Sequence, residues 1–338
     1  MPILVWGAGA IGGTVGAYLS RAGHQVLFVD RAAEHVARIN ASGLRISGPV
    51  ASFTAAARAA TPPEVSGQFD TVLLCVKAQD TEAAAQALLR HLAPHGAVVS
   101  LQNGLNERVI APIVGESRTV GAFVNFGADY MEPGIVHYGG RGAVVVGEID
   151  GAVRPRTEAL HALLRLFDDR AVLTPNIWGF LWAKLAYGAL LFATALTDDA
   201  IADCLAAPAH RALFIALARE VLAVADRAGI APEAFDGFDP AAFLPGGTDP
   251  AAVASMDALV AFNRRSAKTH SGIWRDLAVR RRRTEADAQL GPILRIAREH
   301  GSAAPITARL IALMHEIEGG QRQQDARNLN ALATAMPA

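Results

Sequence analysis

Pro2-Ile3-Leu4-Val5-Trp6-Gly7-Ala8-Gly9-Ala10-Ile11-Gly12-Gly13 is the stretch that decides how this chain of 338 residues folds. An unbroken apolar run leads into glycines spaced G-x-G-x-x-G, and a helical pattern continues from there to about Arg21. That is a strand entering a helix through a tight turn. Gly7 permits the turn, Gly9 leaves room for a diphosphate to approach the backbone, and Gly12 lets the helix pack closely on the strand. The helix start offers unpaired N–H groups and the positive end of its dipole to anionic oxygens. Alone, such a glycine pattern is weak. Here a second strand, residues 25–29, follows the helix, and this context makes Gly7, Ala8, Gly9, Ala10, Ile11 and Gly12 a dinucleotide-binding turn.

Asp30 ends that second strand, eighteen residues after Gly12, where a carboxylate can bind the ribose hydroxyls of NAD. Arg31 follows at once and could engage the extra phosphate of NADP instead. Either residue could also simply face solvent, so these two positions leave NAD and NADP both open.

Outward from the turn, further strands are expected at 71–76, 97–101 and 119–123, with extended segments at 135–136 and 143–146. Alternation of short apolar runs with helical patterns predicts a mostly parallel sheet. Beyond Arg154-Pro155 the strand signals thin out and helical runs lengthen, at 156–167, 180–194 and 208–228. Pro/Gly-rich interruptions at 232–250 and 301–305 divide helices rather than announce another sheet. The expectation is an α/β fold: a Rossmann-like dinucleotide-binding domain, residues 1–173, followed by an all-helical C-terminal domain, residues 174–338. The helical half could pair its apolar faces in a homodimer.

Composition excludes other classes. Apolar residues make up 51% and charged residues 19% of the chain, against roughly 25% charged in an average globular protein, so a large core is expected. A net charge of -1 and 6% aromatics argue against a nucleic-acid binder, which needs positive charge and stacking platforms. The 10 histidines form no short ligand motif, and His270 and His315 read as turn or helix residues, so no metal site is expected. Cys75 and Cys204 form no disulfide framework, Cys75 reading as a buried thiol in a strand. No signal-like segment opens the sequence, and a cytoplasmic location is the default. The apolar stretch 182–197 contains Lys184 and falls short of the roughly 20 residues that span a bilayer. A buried helix, with no membrane partner, is expected there.

Only Lys77, Lys184 and Lys268 among the 31 basic residues are lysines. Lys77 follows a strand, as does Asn103 in Gln102-Asn103-Gly104. In an open α/β sheet the carboxyl ends of strands face the ligand crevice, so both are candidate contacts to cofactor or substrate; the alternatives are a solvent lysine and an Asn-Gly turn. Lys184 lies in Phe180-Leu181-Trp182-Ala183-Lys184-Leu185. Burial in such apolar company disfavours the ammonium and can bring a lysine into proton-transfer range; the alternative is an exposed lysine at the helix end that serves solubility. Glu285 is a further ionisable candidate, with Asp287 on a different helix face; Glu285 could equally be a surface residue offsetting the arginines 280–283. Those arginines could attract an acidic substrate, but read first as a solvated helix face.

Taken in order, Gly7-Ala-Gly-Ala-Ile-Gly12, Val76-Lys77, Leu101-Gln-Asn-Gly104, Trp182-Ala-Lys184-Leu and Arg283-Thr-Glu285-Ala-Asp287 resemble the ketopantoate reductase family over most of the chain. The resemblance implies an active site in a cleft between the two domains and a small carbonyl substrate. It also implies NAD(P)H-dependent reduction of a 2-oxo acid, in the named case 2-dehydropantoate to pantoate, a step of pantothenate biosynthesis. It favours NADP over NAD. On it, Lys184 matches the catalytic lysine, Glu285 the glutamate that binds a substrate hydroxyl, Asn103 a cleft asparagine, and Ser271 a substrate-binding serine, with a helix cap as the alternative for Ser271. Where the family commonly carries asparagines four and eight residues after its lysine, this chain has Gly188 and Phe192. That departure makes another 2-oxo acid or carbonyl compound the first alternative, and a dinucleotide-binding regulatory protein without catalysis the second.

Overall fold

The computed structural model describes residues 2–337. By its internal contacts the chain forms two compact units, Met1–Ile177 and Trp178–Ala338.

In the first unit the elements run β1 (Ile3–Trp6), α1 (Ala10–Arg21), β2 (Val26–Val29), α2 (Ala33–Ser42), β3 (Leu44–Ser47), β4 (Phe53–Ala55) and β5 (Arg58–Ala60). They continue with β6 (Phe69–Leu74), α3 (Thr81–Leu88), β7 (Leu92–Ser100), α4 (Glu107–Val114) and β8 (Thr119–Val124). A hairpin of β9 (Gly127–Glu132) and β10 (Ile135–Gly140) precedes β11 (Val144–Glu148), α5 (Pro155–Arg165) and β12 (Val172–Leu173). Eight strands form one sheet in the order β12-β11-β8-β7-β6-β1-β2-β5, parallel except where β11 meets β8. Both faces of this sheet are covered, which is why β1 is continuously apolar. Ile3 and Val5 point into one core, Leu4 and Trp6 into the other.

Register brings the central strands to a common edge. Trp6 is level with Val29 and with Leu74, and Leu74 with Ser100. The next residues, Gly7, Asp30, Cys75 and Leu101, therefore emerge together at the carboxyl ends. The order reverses at β1, with β2 to one side and β6 to the other, the switch point where such sheets bind ligands.

Three details differ from expectation. A second sheet, β4-β3-β10-β9, is present; its short strands carry too little periodicity to read beforehand. The strand expected at 71–76 is β6, ending at Leu74, so Lys77 instead opens a short 3₁₀ turn, Ala78–Asp80. Cys75 is only partly buried as a residue, although it packs on the core and burial pushes its thiol up.

The second unit is mostly helical: α6 (Ile177–Thr194), which begins at the unit boundary, α7 (Ile201–Ala206), α8 (Arg211–Arg227), α9 (Asp249–Arg264), α10 (Gly272–Ala278), α11 (Ala286–Glu299), α12 (Pro305–Glu318) and α13 (Arg327–Ala333). By length and composition α6 could cross a membrane, but 72% of it is buried inside the protein, as befits a core helix. The carbonyls of the turn that follows it are bonded from residues 324–328: Gln324 donates to Ala195 O and Asn328 to Leu196 O. Glu220 on α8 caps α12 by accepting from the Ile306 and Thr307 amides.

Arginines 280–283 lie in the loop between α10 and α11, not on a helix face. Arg280 and Arg282 both donate to the buried carboxylate of Asp276, at 3.0 Å each. A buried carboxylate needs such partners, and satisfying it folds the loop back onto α10.

Candidate functional site

In the first unit, close packing dictates the glycines of the turn. A Cβ on Gly7, whose φ is +105°, would sit 2.8 Å from the Cys75 carbonyl carbon, and one on Gly12 2.1 Å from Gly7 O. A Cβ on Gly9 would meet nothing within 4 Å. Gly7 and Gly12 therefore serve the fold, whereas Gly9 borders open space at the N-terminus of α1, which no side chain caps. That is a cradle of the shape and polarity a dinucleotide diphosphate requires.

Two side chains hold Ala8 within this turn. Its amide donates to Asp30 Oδ2 at 3.1 Å, and its carbonyl lies 2.9 Å from His35 Nε2. Because the Gly134 amide donates to His35 Nδ1 at 2.9 Å, the ring proton resides on Nε2 and is donated to Ala8. His35 is fully buried, and sequence reasoning missed it: its partner Gly134 lies in the β9–β10 turn, distant in sequence. Asp30 also accepts from the Ala32 amide at 3.0 Å, which fixes its carboxylate beside the turn. The Arg31 side chain is 77% exposed and pairs with Asp80 at 3.3 Å, a surface contact of small strength.

A buried polar chain joins the loops after β6 and β7. Gln102 Nε2 donates to Val76 O at 2.9 Å and to Thr81 Oγ1 at 2.8 Å; Thr81 donates to Asn106 Oδ1, and Asn106 to Asn103 O. Lys77, partly buried, and Asn103, exposed, thus stand on loops tied to one another. Gln102, beside the predicted Asn103, is the structural member of the pair. Next to this chain lies Glu107, 1% exposed, whose two carboxylate oxygens lack a hydrogen-bond partner. Burial raises its pKa to about 7. Its own backbone amide and, after it, the Ser100 hydroxyl oppose this, although the hydroxyl's bond is to Gln102 Oε1 at 3.4 Å.

In the second unit Lys184 lies on α6. The residue keeps some accessible surface, but the atoms packed around its ammonium lower its pKa to about 7, an effect that the negative charge of Asp236 partly opposes. Tyr187, one turn on, is buried and hydrogen-bonded to the Asn263 side chain at 3.0–3.1 Å. Ser271 caps α10, its Oγ accepting from the Trp274 amide at 3.1 Å. Glu285 occupies the N-cap position of α11 beside Thr284, which donates twice to Glu318. The His270 ring lies tilted against Trp274, their centroids 4.1 Å apart, and His315 pairs with Asp287 at 3.0 Å. Among the described residues no group of three or more potential metal ligands occurs. Asp236 and Tyr187 escaped sequence reasoning. Asp236 falls in a Pro/Gly-rich interruption, and nothing local ties it to Lys184.

Two family models match the chain: "Ketopantoate reductase PanE/ApbA" over residues 3–151 and its C-terminal counterpart over 176–318. A 2-dehydropantoate 2-reductase of Halobacterium salinarum is 30% identical over 321 residues, covering 93% of this chain and 98% of that protein. The crystal structure of a PanE/ApbA family ketopantoate reductase from Ralstonia eutropha JMP134 superposes with a TM-score of 0.79 at 28% identity, covering 95% and 99% of the two chains. A ternary structure of D-mandelate dehydrogenase with NADH and anilino(oxo)acetate shares the fold, with a TM-score of 0.81 at 24% identity over 95% and 99%. With a dinucleotide turn on its first sheet and these matches along most of its length, the chain belongs to the PanE/ApbA ketopantoate reductase family and is an NAD(P)-dependent oxidoreductase.

Proposed function

We propose that this protein reduces a 2-oxo acid to the 2-hydroxy acid with NAD(P)H, 2-dehydropantoate being the first substrate to test because curated relatives carry that name. The observation that carries the reading is Lys184, an ammonium held near neutrality inside an apolar helix. A proton donor works best when its pKa lies near the working pH.

When bound, the reduced dinucleotide supplies the hydride for the carbonyl carbon. The residues present fit that group: the α1 amides behind Gly9 would hold the diphosphate, Asp30 would take ribose hydroxyls, and Arg31 would bind an additional phosphate. Lys77 and Asn103 would contact the bound molecules from the loops after β6 and β7. Lys184 gives its proton to the carbonyl oxygen, so that no free alkoxide forms, and is left as a neutral amine that solvent reprotonates. Glu285 orients a substrate hydroxyl or the lysine, and Ser271 adds a polar contact.

The test is single-turnover reduction by Lys184→Ala with cofactor affinity measured in parallel. Retained affinity with turnover reduced a hundredfold or more is expected, since a positioned acid contributes roughly 10²–10⁴ in rate; unimpaired turnover would sink the assignment.

A second reading, a different 2-oxo acid, is favoured by Gly188. From Gly179 onward the incompletely buried positions of α6 are Phe180, Lys184, Gly188 and Leu191, a single helix face. A Cβ on Gly188 would meet nothing within 4 Å, while Phe192 is fully buried in the core. The face around the lysine is thus apolar and roomy, which suits a bulky apolar substituent on the oxo acid. Comparing kcat/KM for 2-dehydropantoate and for oxo acids with branched or aromatic substituents separates the two readings.

A further inference from the structure

We propose that Asp236 is a positioning residue for Lys184, its carboxylate presented to α6 by a rigid two-residue turn so that the lysine remains a proton donor. This rests on the role given to Lys184 above.

The turn is built for rigidity. Phe235 and Phe238 exchange backbone hydrogen bonds, N to O at 3.1 and 2.7 Å, around Asp236 and Gly237. Both intervening residues have positive φ, 43° and 85°, the geometry of a two-residue turn for which Asp-Gly is one of the preferred pairs.

Packing directs the turn at α6. The rings of Phe235 and Phe238 lie 6.1 and 6.3 Å from the ring of Tyr187, which stands three residues after Lys184 and so borders it on the helix surface. On the far side the Asp239 amide donates to Ser255 Oγ of α9 at 2.9 Å, and a Cβ on Gly237 would come within 3.1 Å of Ala258 O. Tyr187 is locked by Asn263, also on α9. The charge of Asp236 is felt at Lys184 and at Tyr187, raising the pKa of each. Tyr187, pushed up to about 12, stays a neutral phenol, which leaves Asp236 as the charge opposing the effect of burial on Lys184. Without it, burial would act alone and the lysine would lose its proton at lower pH.

Asp236→Asn and Asp236→Gly both suit the positive φ, so neither need disturb the turn. With only three lysines in the chain, ¹³Cε-lysine labelling yields three resolvable side-chain signals, that of Lys184 being identified by its loss in Lys184→Arg. Its titration midpoint should fall by about one pH unit in both variants, the lower end of what an adjacent charge imposes. In turnover, reduction at pH 8 should fall about tenfold with little change at pH 5, whereas oxidation of the hydroxy acid at pH 6, which uses the neutral amine, should rise several-fold. A damaged fold slows both directions and produces no gain. An unmoved Lys184 midpoint in both variants overturns the inference while leaving the proposed function standing. Full turnover by Lys184→Ala removes that function, and the inference with it.

Discussion

Replacing Glu107 by glutamine offers a thermodynamic test of the first unit. Glu107 opens α4, where the helix dipole favours negative charge, but it is buried with both oxygens unpartnered, and burial prevails. Below pH 4.5, its ordinary value, the carboxyl is neutral in both folded and unfolded chains. Between 4.5 and about 7 the unfolded chain ionises while the folded one retains its proton, so the folded state binds more protons and stability falls as pH rises. Above that window the full penalty applies. At about 1.4 kcal/mol per pH unit, it reaches about 3 kcal/mol. Glutamine keeps the shape and removes the titration. Urea unfolding of both proteins at pH 5 and pH 8 should therefore show Glu107→Gln gaining between about 2 and 3 kcal/mol on the wild type across that interval. Other titrating groups are common to both proteins and cancel in the difference. A stability difference that does not vary with pH, or one that varies in the opposite sense, would refute the reasoning.

Gly9→Ala should leave the melting temperature unchanged, because its Cβ meets nothing, yet weaken NADH or NADPH binding tenfold or more in a fluorescence titration; unaltered affinity would deny the close approach of a diphosphate. Gln102→Leu strands the Val76 carbonyl and the Thr81 hydroxyl and should cost about 1–3 kcal/mol in urea unfolding, a loss of only a few tenths arguing that the loops are not tied through this amide. Arg31→Ala should reduce affinity for NADPH and spare NADH, by isothermal titration; equal effects on both would show that Arg31 does not read the phosphate.

What could be read in advance follows the range of the interactions. The β1–α1–β2 unit is legible because the signal is local: an apolar run, glycines at fixed spacing and an acid at the next strand end. Lys184 is conspicuous because a charge within an apolar helix is rare. The bond of His35 with Gly134 and the packing of Phe235 and Phe238 on Tyr187 of α6 join residues far apart in sequence, and no propensity records such a meeting. The side sheet is hidden for a related reason, since β4 has only three residues and β3 four. Arginines 280–283 show the limit of reading charge from sequence: a solvated face and a pair of guanidiniums wrapped on a buried aspartate are identical strings. At Ser271 the family resemblance implies a substrate contact and a helix cap is the alternative; the described bond is the cap to Trp274.

The bond from Gly134 to His35 spans 99 residues. The dinucleotide turn, encoded within the first dozen residues, is thus finished by a segment made much later. A nascent chain that has not yet exposed Gly134 carries the glycine pattern and can form β1 and α1, but the imidazole behind Ala8 still lacks the partner that sets its tautomer. The glycines of the cofactor cradle thus come early in the chain, and the bond that fixes the imidazole behind Ala8 requires a residue of the β9–β10 turn.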